Sequence, residues 1–453
     1  MNSKGLSTSP AKGGAIRKLI GPIQLAAIFF FNVSGGPFGL EPVFKSLGNA
    51  SLIAIIVVPI IWCLPTILMV FELNSALPFE GGYYQWVKRA LGTKWGFFEG
   101  WWSLLYALTD LALYPVLFVQ YLRFFIPAIA PFQFEISLAM IWICALINIL
   151  GITSASDTSA FLSALIAGGF IVLFALGLRS SVSAAAMPTP DLHFAPVGLA
   201  MFAIMWNFLG WDNVTTIVQE VRQPVKTFFV SIAIAFAAIL FLYLIASWSA
   251  LHSGVDADEL VNAGFPSVGL AIGGKALGSL ISIAGMASAL GLLISSMLTI
   301  TRVPKVMADD KLFPALFCKI HPRWGSPYIS IIAAGIVTSV MVLFNFSQLL
   351  IIDVSLYGSG LLLEFIALIA LRRREPNLDR PYRIPLQISG LVLLTVLPVA
   401  CLFYAVMAGY GDSSNSVIAS LVALGGICSG VPAWMIFKKK AVEGGRFLQS
   451  HTN

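Results

Sequence analysis

Carboxylates are rare inside long apolar runs, and this chain places several there. Asp110 sits midway along the apolar run 95–125, with Tyr106 and Tyr114 one helical turn away on either side and on the same face. A carboxylate at bilayer depth costs about 2.5–3.5 kcal/mol on insertion scales, so each one needs a partner or a task. An acid flanked by two aromatic rings suits an organic cation, through its charge and through the ring quadrupoles. The same trio also fits a plain packing hydrogen bond. Glu41 follows the stretch Val33-Ser34-Gly35-Gly36-Pro37-Phe38-Gly39 and falls in the first turn of a half-helix whose start Pro37 is expected to set. An acid there balances the helix dipole. In a functional reading it attracts an amine, while backbone N–H groups around Ser34, Gly35 and Gly36 hold a carboxylate or another acceptor. Asp212 closes a second stretch of this kind, Asn207-Phe208-Leu209-Gly210-Trp211-Asp212, where it caps the next half-helix and faces any cavity beside Asn207 and Trp211. On the run 348–371, Asp353, Tyr357 and Glu364 share one face. Tyr357 reads as a pocket wall and Glu364 as one end of a helix-to-helix hydrogen bond. Glu72, Glu99, Asp157 and Glu220 lie near the ends of apolar runs and read as solvated or ion-paired. The alternative for them is a gate with Lys88, Arg222 or Arg302.

The elements that must hold these residues follow from composition. Of 453 residues, 58% are hydrophobic and 11% charged, and the mean hydropathy is +0.89. Soluble domains run near a quarter charged, so the chain reads as an all-α membrane protein. Twelve apolar stretches are each long enough for a helix to cross about 30 Å of hydrocarbon: 19–47, 50–76, 95–125, 135–153, 157–178, 194–220, 227–250, 276–306, 327–345, 348–371, 386–408 and 416–437. The first and sixth carry helix-breaking polar stretches at their middles, 172 residues apart from Gly35 to Asn207. Interrupted segments at corresponding places in two halves point to an inverted repeat with a central polar site. The expected organisation is a tail at 1–18, a first repeat at 19–178, a second at 194–371, two appended helices at 386–437 and a tail at 438–453. Helices 1 and 6 are broken in this scheme.

Of the 27 Lys and Arg, 23 fall on one side of this topology, and only Lys45, Arg123, Arg179 and Lys275 fall outside. That asymmetry orients both termini to the cytoplasm, so the net charge of +6 reflects membrane orientation and calls for no nucleic-acid partner. The first eighteen residues have no signal-peptide pattern. Cys63, Cys144, Cys318, Cys401 and Cys428 lie in apolar stretches or a cytoplasmic loop and imply no disulfide framework.

All four histidines, His193, His252, His321 and His451, lie in loops or at segment ends, which leaves an intramembrane hydrolase without an imidazole at depth. No phosphate-cradling loop is present. Neither an enzyme nor a cofactor or metal site is therefore expected, and transport driven by an ion gradient remains. A sugar-type facilitator would carry a basic Gly-Asp loop between segments 2 and 3, where this chain reads PFEGGYYQWVKRALG. A non-transporting amine sensor would want a cytoplasmic domain.

Three stretches carry a family resemblance: TRVPKVMADDKLFP (Thr301 to Pro314) running on to HPRWGSPY, GWDNVTTIVQEVRQPVKTF (Gly210 to Phe228) and ELNSALPFEGGYYQW (Glu72 to Trp86). In these the chain resembles the amino acid-polyamine-organocation superfamily of permeases, up to about residue 440. VSGGPFG with Glu41, TDLALYPVLF (Thr109 to Phe118), and Tyr357 with Gly360 and LEFIA are similar to the plant-type polyamine uptake transporters, with L-type amino acid transporters next. The resemblance implies a five-plus-five inverted repeat and a multi-pass protein of the plasma (inner) membrane. It implies uptake of small amines or amino acids by alternating access, with a proton or sodium as coupling ion. Glu41, Asp110 and Asp212 are then assigned to cation recognition, with Ser34, Gly35, Gly36, Tyr114, Asn207, Trp211 and Tyr357 around the substrate. Sodium sites of this fold use segment 8 hydroxyls, which implies Ser295 and Ser296; a proton would use Glu41 or Asp110. Asn32 and Gln120 stand where the polyamine carriers are expected to hold acids, which brings an amino acid exchanger in as the alternative.

Overall fold

The computed structural model describes residues 20–151, 155–179, 194–221, 223–409 and 414–449. The tail 1–18, His193, Arg222 and His451 lie outside the described residues, as do the side chains of Asp157 and Glu220. Among the described residues the regular structure is helical, and the one extended contact is an isolated bridge between Ile20 and Val221. In chain order the helices are α1 (Pro22–Val33), α2 (Glu41–Leu47), α3 (Ser51–Ala76), α4 (Gly82–Leu91), α5 (Thr93–Leu122), α6 (Gln133–Ile149), α7 (Ala155–Gly177) and α8 (Phe194–Trp206). They continue as α9 (Pro224–Leu251), α10 (Ala257–Ala263), α11 (Phe265–Ile300), α12 (Arg302–Asp309), α13 (Tyr328–Met341), α14 (Phe346–Arg374), α15 (Ile388–Gly409) and α16 (Ser414–Gln449).

Among the described residues eight helices are long and apolar enough to cross a membrane, and four shorter apolar ones, Pro22–Val33, Phe161–Gly177, Val197–Trp206 and Tyr328–Met341, accompany them. The bundle is inverted relative to a soluble protein. Large apolar side chains such as Ile53, Ile143, Leu393, Phe403 and Ile436 stand exposed on its outside, while Glu41, Glu72, Glu99, Asp110, Asp212, Asp353 and Glu364 are buried within it. In hydrocarbon no water satisfies polar groups, so they turn inward toward one another.

Two interruptions set the interior. α1 ends at Val33, and the main chain runs non-helically to Glu41. Gly35 (φ +63°) lies in the left-handed region, and a Cβ there would come within 2.5 Å of Leu292 on α11, so both the turn and the close approach demand glycine. The second half-helix starts at Glu41–Pro42. Pro37, expected to set that start, lies in the unwound stretch instead, because Gly39 (φ +87°) still precedes it. The second interruption follows α8. Asn207 to Asp212 leave helical geometry and lead into a 3₁₀ segment, Asn213–Glu220, rather than an α-helix.

α5 packs along α11 and α14 as the axis of the bundle. It runs antiparallel to α14, since Glu99 lies over Gly360, Tyr106 meets Tyr357, and Asp110 is the charged neighbour of Asp353. Two boundaries differ from expectation. α11 begins at Phe265 and bends at Gly273–Gly274, adding a loop-side turn that hydropathy alone hides under Lys275. α16 continues as helix to Gln449, through the stretch expected as a tail from 438.

Candidate functional site

The two interruptions touch. Gly210 (φ +94°) lies against α1 so closely that a Cβ would sit 2.6 Å from the Asn32 carbonyl oxygen. From α9, the Tyr243 hydroxyl donates to Ser34 Oγ at 2.6 Å and lies 2.9 Å from both the main-chain carbonyl and Oδ1 of Asn207. A single phenol thus joins both breaks. A lone tyrosine in an apolar helix carries no sequence signal beyond core packing, so this residue was not among the expected ones.

Asp110 faces the junction. Its carboxylate accepts from the Tyr114 hydroxyl and from the Trp206 indole at 3.0 Å, and Tyr114 also lies 3.3 Å from Ser296 Oγ. Asn32, Ser34, Asp110, Tyr114, Trp206 and Asn207 line a small cavity. It is so constricted that it has room for about one water molecule. Trp206 supplies the indole expected of Trp211. The latter is fully buried, donates to the Phe208 carbonyl at 3.0 Å, and packs against Phe29 and Phe236 away from the cavity. Asn32 is bound to α11 through Ser295 Oγ (2.6 Å), and its Oδ1 accepts from Thr299 (2.9 Å).

The backbone N–H groups of the first break are already used. Those of Ser34 and Gly35 turn back to the Phe30 carbonyl at 2.9 and 2.8 Å, and that of Gly36 donates to Ser34 Oγ at 2.9 Å. The N–H groups expected to hold a substrate carboxylate are thus hydrogen-bonded within the break itself.

Asp212 belongs to a second level of the interior. Tyr357 donates to its Oδ1 at 2.7 Å. Asp212 makes no side-chain cap on the 3₁₀ segment, contrary to expectation, because its carboxylate turns toward α14. Tyr106, expected beside Asp110, instead donates to Asn213 and stands edge-on to Tyr357 at 5.1 Å. Glu364 lies beside Asp212, and Glu99 is close to both, accepting from Ser103 at 3.1 Å. Glu99 is buried within the bundle rather than solvated at a helix end.

Glu41 is not brought to either level. Tyr121 donates to its Oε1 at 3.1 Å, about three turns along α5 from Asp110. Phe38 packs on Tyr121, Phe170 and Phe265 at 4.9, 5.3 and 6.4 Å, forming an aromatic layer at this end of the bundle.

At the opposite end the acids are neutralised. Glu72 is held by Arg372 through two contacts, one of 2.5 Å, by Arg380 at 3.3 Å and by the Ile384 N–H at 2.9 Å. Lys88 pairs with Asp310 at 2.6 Å, and Arg89 with Glu375 at 2.7 Å. The hydrogen bond from Arg89 holds the exposed Glu375 carboxyl below the usual carboxylate range. Arg302 also has a partner. Among the described residues no group of three or more His, Cys, Asp and Glu is arranged to hold a metal ion.

A buried acid with aromatic donors, set at the meeting of two unwound segments, fits recognition of an organic cation inside a membrane. The family model described as amino acid permease matches residues 20–428. The chain belongs to the amino acid permease family. This permease is 31% identical over 433 residues to polyamine transporter PUT1 of Oryza sativa subsp. japonica, a match covering 93% of this chain and 80% of that one. It is 28% identical over 430 residues to polyamine transporter RMV1 of Arabidopsis thaliana, covering 94% and 86%. Serine/threonine exchanger SteT of Bacillus subtilis (strain 168) is 24% identical over 395 residues, covering 82% and 85%. The permease is thus a multi-pass membrane protein of the transport class, as its composition and motifs implied.

Proposed function

We propose that this permease is a secondary transporter of small amines, di- and polyamines foremost, working by alternating access around the junction of its two unwound segments. The observation that carries this reading is Asp110. It is a buried carboxylate opening on the cavity between the breaks, with Tyr114 and Trp206 as its donors and no ion pair to a basic side chain among the described residues. An uncompensated carboxylate at membrane depth is costly, and a bound ammonium group offsets that cost. The occupied N–H groups of Ser34 to Gly36 favour an amine over a carboxylate-bearing amino acid, and the names of the plant relatives agree.

In this reading the chain has twelve crossings arranged as two inverted repeats, 19–178 and 194–371, followed by helices at 386–437. Both termini lie in the cytoplasm, and the protein resides in the plasma (inner) membrane. The cavity beside Asp110 belongs to a closed conformation, and the half-helices pivot at the breaks to admit solute from one side at a time. Coupling is to protons, carried by Asp110 or by Glu41. Ser295 and Ser296 are spent on Asn32 and Tyr114, which weighs against a sodium site there.

Proteoliposome uptake tests the reading. Labelled putrescine or spermidine should accumulate under an imposed pH gradient and ignore a sodium gradient. Accumulation of neutral amino acids with no amine uptake would contradict the substrate class. A sodium requirement would remove the proton.

A further inference from the structure

A second group of acids lies deeper toward the Glu72 end. Asp110 and Asp353 are neighbours across α5 and α14, and Glu99 and Glu364 are neighbours across the same two helices. On each helix the two acids are about three turns apart, roughly 16 Å at 1.5 Å per residue, and so they share one face. Asp212 lies between the levels, accepting from Tyr357 and standing beside Glu364. Glu99, Asp212 and Glu364 are each only 1% exposed, and Oε2 of both Glu99 and Glu364 has no hydrogen-bond partner. No ion pair links any of the three to a basic side chain among the described residues. Buried carboxyl oxygens are almost always paired, so unpartnered ones in a ring of tyrosines are suited to receive a cation. Tyr106 and Tyr357 border the group, and the interaction of Tyr83 with all three acids puts it beside them. The three carboxylates do not converge as metal ligands do, whereas an ammonium group with three donors can reach separated oxygens.

We propose that Glu99, Asp212 and Glu364 form a second cation site, which takes one ammonium group of a linear polyamine while another sits on Asp110. This rests on the amine reading above and adds a length requirement to it: a monoamine fills one level, and a long polyamine spans both. Gly360 serves the site directly, since a Cβ there would lie 2.9 Å from Glu99 Oε1.

Calorimetric titration of the purified full-length protein with propylamine, putrescine and spermine tests it. Glu364→Gln and Glu99→Gln should each weaken spermine by roughly tenfold or more, the value of a lost charge-assisted hydrogen bond. Propylamine should move by less than about twofold. Glu364→Asp should retain most of the spermine affinity. Thermal transitions at or above wild type certify that the variants fold. Equal losses for propylamine and spermine, or no loss for either, would overturn the site. So would a change only in the pH dependence of every amine, which would make the group a proton carrier. If the wild-type protein binds none of the amines, the parent reading fails; if it binds them without this selectivity, only the second site does.

Discussion

Glu72 and Glu364 are both buried glutamates on the helices around one bundle, yet they live in opposite surroundings. Glu72 is met by Arg372, Arg380 and the Ile384 N–H, so its charge is cancelled by the protein itself. Glu364 meets Asp212, Glu99 and tyrosines, keeps an orphaned oxygen, and has no basic partner among the described residues. The first arrangement is what a protein does with an acid it needs for structure. The second leaves carboxyl groups that only a proton or a cation from outside can satisfy. The loop end of the bundle is locked by ion pairs, and the interior acids have no basic partner among the described residues.

This contrast is open to attack at several strengths. Glu72→Ala strands two guanidinium groups, one of them buried, and should cost about 3–5 kcal/mol in denaturation of the purified protein. Glu364→Gln removes an unmatched carboxylate and should leave stability unchanged or raised. Similar losses for both would erase the distinction. Tyr243→Phe keeps the ring and deletes the hydroxyl shared by Ser34 and Asn207; a loss of about 1–2 kcal/mol is expected, together with weakened amine binding as the two breaks lose their common tie. Unaltered binding and stability would show that the breaks hold together without it. Arg89→Ala addresses the exposed pair with Glu375 and should cost no more than about 0.2–1 kcal/mol, less in high salt. Because Arg89 lowers the folded-state Glu375 pKa, that contribution is complete above the ordinary carboxylate range and fades as pH falls through the lowered value. A pH-independent effect would assign the loss to packing.

Much of this was readable from the chain. Gly35 and Gly210, with their polar neighbours, announce where helices must break because the two stretches fall at corresponding places in two halves; a lone glycine in a membrane helix more often serves close packing. The buried acids are conspicuous because a carboxylate is costly at membrane depth. What escaped the sequence depends on contacts between distant segments. Tyr243 and Trp206 read as ordinary core aromatics until the fold brings their polar atoms to Ser34 and Asp110. Glu99 reads as a solvated helix end, but the thirty-residue α5 is covered at that depth by α14 and α4, which seals it in. The N–H groups of Ser34 to Gly36 read as free donors, and only the local path of the main chain shows them consumed.

Amine recognition is assigned to the Asp110 carboxyl beside the two breaks. Titration of spermidine into wild-type protein and into Asp110→Asn, side by side in one buffer, tests it most directly. Measurable binding by the first and at least a roughly tenfold loss in the second are expected, since the substitution keeps the shape and removes the ionisable group. Equal affinity in both proteins, or tighter binding of serine than of spermidine by the wild type, would contradict it.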